Sequence, residues 1–244
     1  MKLIVKLKKR IKIEIKKKWV QFLNYIKCTY IKISIINKTK YFCIGRNKTG
    51  TTSLYKAFEE LGFVVGYQRE AELLMEAYFE KNYKRIIKYC KTAEVFQDFP
   101  FSFPDTYKIL DKEFPNSKFI LTVRDSSDQW YTSITKFHAK IFGNGYIPNW
   151  DDLKNAEYVY KGWIYNNFIN NYGLTEKDNP YEKEVLIAHY EKHNQDIINY
   201  FEGRPDDLLI INLSEKDSYL KFCNFIGVVP KRKTFPWENK TAEI

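Results

Sequence analysis

The stretch that decides the fold is YFCIGRNKTGTTS, residues 41–53. Its apolar beginning predicts a short buried strand at 41–45, and the turn that follows contains Gly50. Apolar residues at helical spacing then predict a helix that ends at Gly62. A strand, a glycine-containing turn and a helix, in this order, are the context in which a turn binds phosphate. The backbone N–H groups and the positive end of the helix dipole then point at one spot.

The rest of the chain alternates between short β-type runs and helical segments. The sequence predicts further strands at 63–66, 94–97, 118–123 and 208–213. It predicts further helices at 69–90, 104–114, 127–142, 152–172, 181–202 and 215–226. Strands separated by helices indicate an α/β fold with a central, mainly parallel sheet and helices on both faces.

Positive charge is concentrated at the amino-terminal end of the chain. The 244 residues carry 40 Lys and Arg against 30 Asp and Glu, and residues 1–40 hold 13 of the basic side chains with Glu14 as their one acid. The sequence therefore divides into a basic amino-terminal extension, residues 1–40, here called the basic arm, and a near-neutral domain, residues 41–244. A nucleic-acid-binding fold carries its basic surface on the domain itself, so we expect no nucleic-acid partner.

The basic arm has the pattern of an amphipathic helix over residues 1–27. The apolar residues that recur there at spacings of three and four are Ile11, Ile15, Trp19, Phe22 and Ile26. A helix of this kind can contact acidic lipid head groups at a membrane surface. A solvated or docked extension is the alternative interpretation.

Cysteine spacing and hydropathy bear on the compartment and on metal binding. The four cysteines form no CxxC pair, and no Cys/His group has the spacing of a zinc site. No apolar run has the length of a signal-peptide core or approaches the ~20 residues of a membrane span. We expect a cytoplasmic protein with reduced thiols and no bound metal, either free in solution or in peripheral contact with the inner membrane surface.

The lysine of the turn is displaced from its position in nucleotide triphosphatases. Gly45, Gly50 and Thr52 match the triphosphatase pattern G-x4-G-K-[ST]. Thr51, however, stands where the pattern has its lysine, and the lysine of this turn is Lys48. A triphosphatase needs the later lysine to reach the terminal phosphates, so this turn suits a different phosphate group.

The same turn resembles the 5′-phosphosulfate loop of the PAPS-dependent sulfotransferases, P-K-x-G-T-[TS], where PAPS is 3′-phosphoadenosine 5′-phosphosulfate. Asn47 stands where that family usually has Pro. The resemblance implies a P-loop NTPase-like three-layer fold, PAPS as the donor and no metal. It also implies that Lys48 neutralises charge on the leaving phosphate oxygen. The turn residues that it assigns to the donor are Arg46, Asn47, Lys48, Thr49, Gly50, Thr51, Thr52 and Ser53.

A second motif extends the resemblance. The predicted strand at 118–123 is followed by Arg124, and Ser133 lies on the next predicted helix. This resembles the family's 3′-phosphate motif, a strand-end Arg with a Ser about eight residues later, in which the guanidinium fork binds the phosphate. The spacing here is nine, so Thr132 is a second candidate. The basic triplet at 231–233 is either a further 3′-phosphate contact or a solvated charge run.

Transfer to a hydroxyl or amine needs a base near the acceptor. The run Gln97-Asp98-Phe99-Pro100 resembles the T-H-L-P segment of the cytosolic enzymes, with Asp98 at the position of the catalytic His. Asp98 is therefore the first candidate for the base, and His138 is the second. A turn or helix-cap aspartate is the alternative interpretation of Asp98. His189 and His193 are expected to be structural or surface residues.

The acceptor is less well defined by the sequence. Aromatic content and a carboxylate base favour a carbohydrate or glycolipid. Aromatic residues that lie where related enzymes form the acceptor pocket are Tyr146, Trp150, Tyr158, Tyr160 and Trp163, and core packing is their alternative interpretation. Two rival functions stay open: a P-loop kinase or nucleotide triphosphatase, and a protein that binds a nucleotide or a membrane without catalysis.

Overall fold

The computed structural model describes residues 14–20, 22, 23, 26, 29 and 33–236. The chain separates into two compact units, Met1–Lys38 and Thr39–Ile244. In the first unit, the described residues from 14 to 34 are helical. The helix predicted over residues 1–27 lies partly outside the described residues.

A parallel four-stranded sheet forms the centre of the described part of the second unit. Its strands are β1 (Tyr41–Cys43), β2 (Val95–Gln97), β3 (Lys118–Thr122) and β4 (Leu208–Ile211). They pair in the order β2-β1-β3-β4, so that Phe42 lies between Phe96 and Phe119. The parallel sheet expected from the sequence is confirmed.

The strand predicted at 63–66 is wrong. The structure has at this place an isolated bridge between Val65 and Val95 instead of a ladder. The backbone N–H of Val64 donates to the side chain of Glu94 at 2.9 Å, so this donor is used by a carboxylate and not by a neighbouring strand.

Helices follow the strands and cover the sheet. Within the described part of the second unit they are α1 (Thr51–Leu61), α2 (Gln68–Glu72), α3 (Met75–Phe79), α4 (Tyr83–Tyr89), α5 (Thr106–Glu113), α6 (Ser127–Phe142), α7 (Trp150–Asn155), α8 (Trp163–Tyr172), α9 (Lys183–Phe201) and α10 (Ser218–Ile226). A short 3-10 helix, Pro205–Asp207, precedes β4.

Two long predicted helices are divided into shorter ones. The segment 69–90 contains α2, α3 and α4, because Leu74 leaves helical geometry and Lys81 adopts a left-handed conformation with φ +57°. The segment 152–172 contains α7 and α8, because Gly162 adopts φ +78° just before α8. The corners created by these breaks contribute to the site described below.

The two faces of the sheet are covered by different helices, because successive strand residues point to opposite sides. On one face, Phe42 and Phe119 pack with residues of α4, α5 and α9. On the other face, Cys43 and Ile120 pack with residues of α1 and α10. The result is a three-layer α/β arrangement. A further apolar cluster contains Trp130 and joins α6, α8 and α9.

Gly45 allows the turn after β1 to start directly against the end of β3. A Cβ atom on Gly45 would lie 2.6 Å from the backbone nitrogen and 2.5 Å from the carbonyl oxygen of Thr122. Thr122 belongs to a buried central strand, so its backbone cannot move aside without disturbing its pairing with Ile211 of β4. Glycine is therefore required at this position by close approach.

We expect Gly45→Ala to destabilise the domain by roughly 1–3 kcal/mol, the usual range for an overpacked core. The thermal unfolding midpoint should fall. Gly203→Ala is the matched control, since a Cβ there meets no atom within 4 Å. Unchanged midpoints for both variants would contradict the close approach of the turn to β3.

Candidate active site

The turn 45–50 joins β1 to the first residue of α1. Lys48 and Gly50 adopt left-handed conformations, with φ +65° and +102°. Gly50 is the N-cap of α1 and has no side chain that could cap the first helical turn. A helix start of this kind binds anions through backbone N–H groups and through the helix dipole. The local geometry is therefore that of an anion-binding turn.

Two side chains of the turn stabilise it internally. The Thr49 hydroxyl lies 2.5 Å from both the carbonyl oxygen of Arg46 and the hydroxyl of Thr122. The Arg46 guanidinium is buried, only 1% of the residue being exposed, and its Nη1 donates to the carbonyl oxygen of Ser102 at 3.1 Å. Neither residue lines the cavity described next.

A cavity of about 340 Å³ opens beside the turn. The predicted site residues that line it are Asn47, Lys48, Gly50, Thr51, Thr52, Ser53, Asp98, Arg124 and His138. Tyr158 and Trp163, two of the aromatic residues expected near an acceptor pocket, also line it. Further lining residues, which were not site candidates, are Tyr55, Gln68, Glu72, Gln97, Phe99, Phe137, Phe142 and Ile164. The predicted residues that do not line it are Arg46, Thr49 and Ser133. The volume is sufficient for a small ligand.

Arg124 clamps the turn to the end of β3. Its Nε donates to the carbonyl oxygen of Lys48 at 2.6 Å. From α6, the indole N–H of Trp130 donates to the carbonyl oxygen of Asn47 at 3.0 Å. The backbone N–H of Arg124 donates to the Tyr190 hydroxyl on α9, also at 3.0 Å. Among the described residues no acceptor binds the Nη groups of Arg124, so the end of its fork is available to a ligand.

Ser133 lies on the side of α6 that faces the turn. It follows Trp130 by three residues and precedes Phe137 by four, and these spacings place the three side chains on one helix face. The Phe137 ring centroid is 3.7 Å from Lys48 Nζ, so this helix face is the one that contacts the turn. Thr132 is exposed on another face of the helix. Of the two candidates, only Ser133 shares the side of α6 that contacts the turn.

Lys48 places a partly buried cation at the cavity. Burial and, to a lesser extent, the nearby charge of Arg124 lower the pKa of its ammonium to about 8, while the charge of Asp98 acts in the opposite direction. Two cations close together disfavour each other's charge, and an anion between them removes that penalty. The pair formed by Lys48 and Arg124 therefore favours an anionic ligand.

Asp98 directly follows β2 and adopts φ +56°. The backbone N–H of Phe99 donates to its Oδ1 at 3.0 Å, and the Thr51 hydroxyl donates to its Oδ2 at 3.5 Å. Burial, reinforced by the negative charge of Glu72, raises the pKa of Asp98 to about 7. A carboxyl group with a pKa near neutrality has the proton affinity required of a general base at physiological pH.

His138 lies on α6 and is enclosed by aromatic rings. Its Nδ1 is 2.9 Å from the Tyr181 hydroxyl, and the ring centroids of Phe142 and Phe168 are 5.2 and 5.8 Å from its own. Burial, with a smaller contribution from the charge of Lys48, lowers the pKa of His138 to about 3. The imidazole is therefore neutral at pH 7.

A family model described as the sulfotransferase domain matches residues 40–244. The chain belongs to this family. The match includes all four strands and every residue that lines the cavity. Comparison with curated proteins found no significant match. Sulfotransfer is thus the general activity of the family to which this domain belongs.

The sulfotransferase cavity has a second carboxylate, Glu72, at the end of α2. Glu72 is only 5% exposed, and Arg69 Nη1 lies 3.1 Å from its Oε2. The Tyr158 hydroxyl donates to Oε1 at 3.4 Å, and the Trp163 indole N–H donates to the Glu72 carbonyl oxygen at 3.2 Å. Burial raises the pKa of this carboxyl as well. Glu72 lies beside the break between α2 and α3, and its partners Tyr158 and Trp163 lie beside the break before α8. No local sequence signal therefore marks Glu72.

The other predicted aromatic and histidine residues lie elsewhere. Tyr146 is 82% exposed, and neither Trp150 nor Tyr160 lines the sulfotransferase cavity. His193 is buried, with Nε2 2.8 Å from the carbonyl oxygen of Ile44, which fits a structural role. Among the described residues no group of three or more His, Cys, Asp or Glu side chains could hold a metal ion. In the same part of the chain no helix is both long and apolar enough to cross a membrane.

The basic triplet at 231–233 contacts the end of α1 that is remote from the turn. Lys231 Nζ donates to the carbonyl oxygen of Glu60 at 2.7 Å, and Arg232 Nε lies 2.8 Å from the Glu60 carboxylate. Glu60 follows Thr51 by nine residues, about 14 Å along the helix axis. These contacts favour a structural role for Lys231 and Arg232 over one in phosphate binding.

We expect the buried Asp98 carboxylate to lower the unfolding free energy of the domain at neutral and higher pH. Its pKa is about 7 in the folded chain against an ordinary 3.8, so the wild type loses stability as the pH rises through this interval. Asp98→Asn removes the buried charge and should raise the unfolding free energy at pH 8, by at most about 4 kcal/mol. The gain should be clearly smaller at pH 5, where the folded carboxyl is protonated.

Thermal unfolding at pH 5 and pH 8 measures this difference. Asp206→Asn, at an exposed aspartate, is the control and should show no gain that depends on pH. An equal shift of the Asp98→Asn midpoint at both pH values would mean that the carboxyl is not held in its neutral form by burial.

Proposed function

We propose that the domain transfers a sulfuryl group from PAPS to a hydroxyl or amine of its acceptor, with Asp98 as the base. The observation that carries the proposal is the convergence of Lys48, Arg124 and the first turn of α1 on the cavity that also contains Asp98. The cations and the helix start suit an anionic donor, while the carboxylate suits proton removal from an acceptor.

PAPS would bind this cavity through its two anionic ends. The turn and Lys48 would bind the 5′-phosphosulfate, through backbone N–H groups and the ammonium. Arg124 would bind the 3′-phosphate with the Nη groups that its contact to Lys48 leaves available. Ser133, on the turn-facing side of α6, would add a hydroxyl hydrogen bond. A nucleotide without a 3′-phosphate would contact the turn and Lys48 but leave Arg124 and Ser133 without their phosphate.

The reaction follows from these positions. The acceptor oxygen or nitrogen attacks sulfur, and the bond between sulfur and the oxygen of the 5′-phosphate breaks. 3′-Phosphoadenosine 5′-phosphate (PAP) leaves with the electron pair of that bond, and the acceptor proton passes to Asp98. Lys48, protonated below about pH 8, stabilises the negative charge that develops on the leaving oxygen.

Asp98 is preferred to His138 as the base because of their environments. Both line the cavity, but burial among aromatic rings lowers the pKa of His138 to about 3, which makes the imidazole a weak proton acceptor. The pKa of Asp98, about 7, matches the working pH of a general base. With Lys48 protonated below about pH 8, kcat/KM should be maximal between about pH 7 and 8.

The acceptor proposed for this site is a carbohydrate or the sugar of a glycolipid. Gln68, Glu72 and Gln97 supply amide and carboxylate groups that can bind hydroxyls, and the rings of Tyr158 and Trp163 supply apolar faces. Cavities that combine aromatic surface with a few polar groups give a ligand both contact area and orientation. This combination supports an uncharged, hydroxyl-rich acceptor.

A P-loop kinase or triphosphatase is the rival enzyme. Its lysine would be required at position 51, where the Thr51 hydroxyl instead donates to Asp98. A domain that only binds nucleotide is the rival without catalysis, and it gives no reason to bury Asp98 beside Lys48. The placement of both charged groups favours the transferase.

PAP should bind more tightly than AMP, because the two nucleotides differ by the 3′-phosphate. Isothermal titration calorimetry of the wild type, Ser133→Ala and Thr132→Ala tests this contact. Ser133→Ala should weaken PAP binding by about 10–100-fold, the usual effect of one hydrogen bond to a charged group, and leave AMP binding unchanged. Thr132→Ala is the matched control and should alter neither. Equal affinities for PAP, AMP and ADP in the wild type would overturn the donor assignment.

Asp98→Asn should abolish transfer, with a loss of ~10²–10⁴-fold, while PAP affinity is retained. The assay is release of PAP from PAPS with octyl glucoside as a glycolipid mimic. His138→Gln is the comparison and should keep most of the activity. If Asp98→Asn stays active and His138→Gln does not, His138 is the base.

A further inference from the structure

The basic arm presents a stripe of large apolar side chains to solvent. Its members are Ile15, Trp19, Phe22, Leu23 and Ile26, and each is between 47 and 59% exposed. At about 100° per residue, these positions of a helix fall within an arc of roughly 100°. The stripe is therefore a continuous apolar face, and the Trp19 and Phe22 rings contact each other within it, with centroids 6.1 Å apart.

Lysines border the stripe. On the same helical projection, Lys16 and Lys18 flank the apolar arc, and Lys17 lies on the opposite side, where it pairs with Glu14 at 3.3 Å. A helix that combines an exposed apolar arc, an aromatic residue within it and flanking lysines fits the boundary between lipid head groups and acyl chains. The lysine stems can extend along the boundary while their ammonium groups stay in water.

Charge identifies the partner of this face. Residues 1–40 carry 13 Lys and Arg against one acid, while the remaining 204 residues are close to neutral. Pairing of two arms through their apolar stripes would bring two strongly positive segments together, which repulsion opposes. An anionic lipid surface offers burial for the stripe and opposite charge for the lysines at the same time.

We propose that the basic arm binds the surface of an anionic membrane, with the stripe from Ile15 to Ile26 inserted at the head-group boundary. The partner is a lipid bilayer that contains acidic phospholipid, and the arm lies in its plane without crossing it. The attachment would hold the catalytic unit where lipid-linked acceptors are concentrated, and this consequence alone rests on the proposed function.

The test is co-sedimentation of the full chain with vesicles. Vesicles of phosphatidylglycerol and phosphatidylcholine should bind at least about tenfold more protein than vesicles of phosphatidylcholine alone. Binding should fall severalfold when NaCl is raised from about 0.05 to 0.5 M, because salt screens the lysines. Equal binding to both kinds of vesicle, or no binding, would overturn the proposal.

Variants separate the stripe from general charge. Trp19→Ser together with Phe22→Ser should reduce binding by tenfold or more without changing the net charge. Val20→Ser is the matched control, since Val20 is 49% exposed on the same segment but lies outside the arc. An equal loss for Val20→Ser, or full binding by the double variant, would contradict insertion through the stripe.

Three further measurements keep these outcomes interpretable. Thermal unfolding and PAP titration of the variants should match the wild type, because the catalytic unit is unchanged. A loss of vesicle binding with PAP binding retained then concerns the membrane proposal alone. A wild type that does not bind PAP concerns the donor assignment alone. Sedimentation velocity without lipid should show a monomer. A dimer that the double variant disrupts would assign the stripe to self-association and overturn the membrane proposal.

Discussion

The hydrogen bond from Arg124 Nε to the carbonyl oxygen of Lys48, at 2.6 Å, joins the end of β3 to the turn after β1. The rest of the site depends on this contact. It holds the Lys48 peptide in its left-handed conformation, with φ +65°, and directs the remaining donors of Arg124 toward the cavity. Because one side chain both fixes the turn and offers its fork to a ligand, the shape of the turn and the binding of a second anionic group are coupled.

The same neighbourhood holds two charges in environments that disfavour them. Burial lowers the pKa of Lys48 and raises that of Asp98, so both groups have pKa values close to neutrality. Burial of charged groups that shifts their pKa values in this way reduces the stability of the fold. Such shifts are typical of functional sites, where a bound ligand or a proton transfer offsets the unfavourable burial of charge. An anionic donor would stabilise the charged state of Lys48, and an acceptor would supply the proton that Asp98 takes up.

Local sequence patterns predicted the parts of the fold that local interactions determine. The strand at 118–122 and the helix α6 lie close to their predicted bounds, and the turn with its displaced Lys48 was recognised from residue type and spacing alone. The convergence of Arg124 and Asp98 on one cavity then follows from parallel strands that end at one edge.

The failures concern positions that tertiary contacts decide. Leu74 leaves helical geometry although its residue type does not signal a break, so the helix predicted at 69–90 concealed the corner beside Glu72, which lines the cavity. The burial of Arg46 against Ser102 could not be read from a motif that assigns neighbouring residues to one ligand. A motif specifies the backbone path of a turn, whereas the direction of each side chain depends on what packs around it.

Group transfer by the same protein from PAPS and from ATP distinguishes a sulfotransferase most directly from a P-loop kinase or triphosphatase. Wild type and Lys48→Met are incubated with radiolabelled PAPS in the presence of a metal chelator, and separately with γ-labelled Mg·ATP, each with octyl glucoside as acceptor. We expect transfer of the sulfuryl label by the wild type, a large loss in Lys48→Met, and no transfer or release of phosphate from ATP. Phosphate release from Mg·ATP that Lys48→Met abolishes, with no sulfuryl transfer from PAPS, would contradict this expectation.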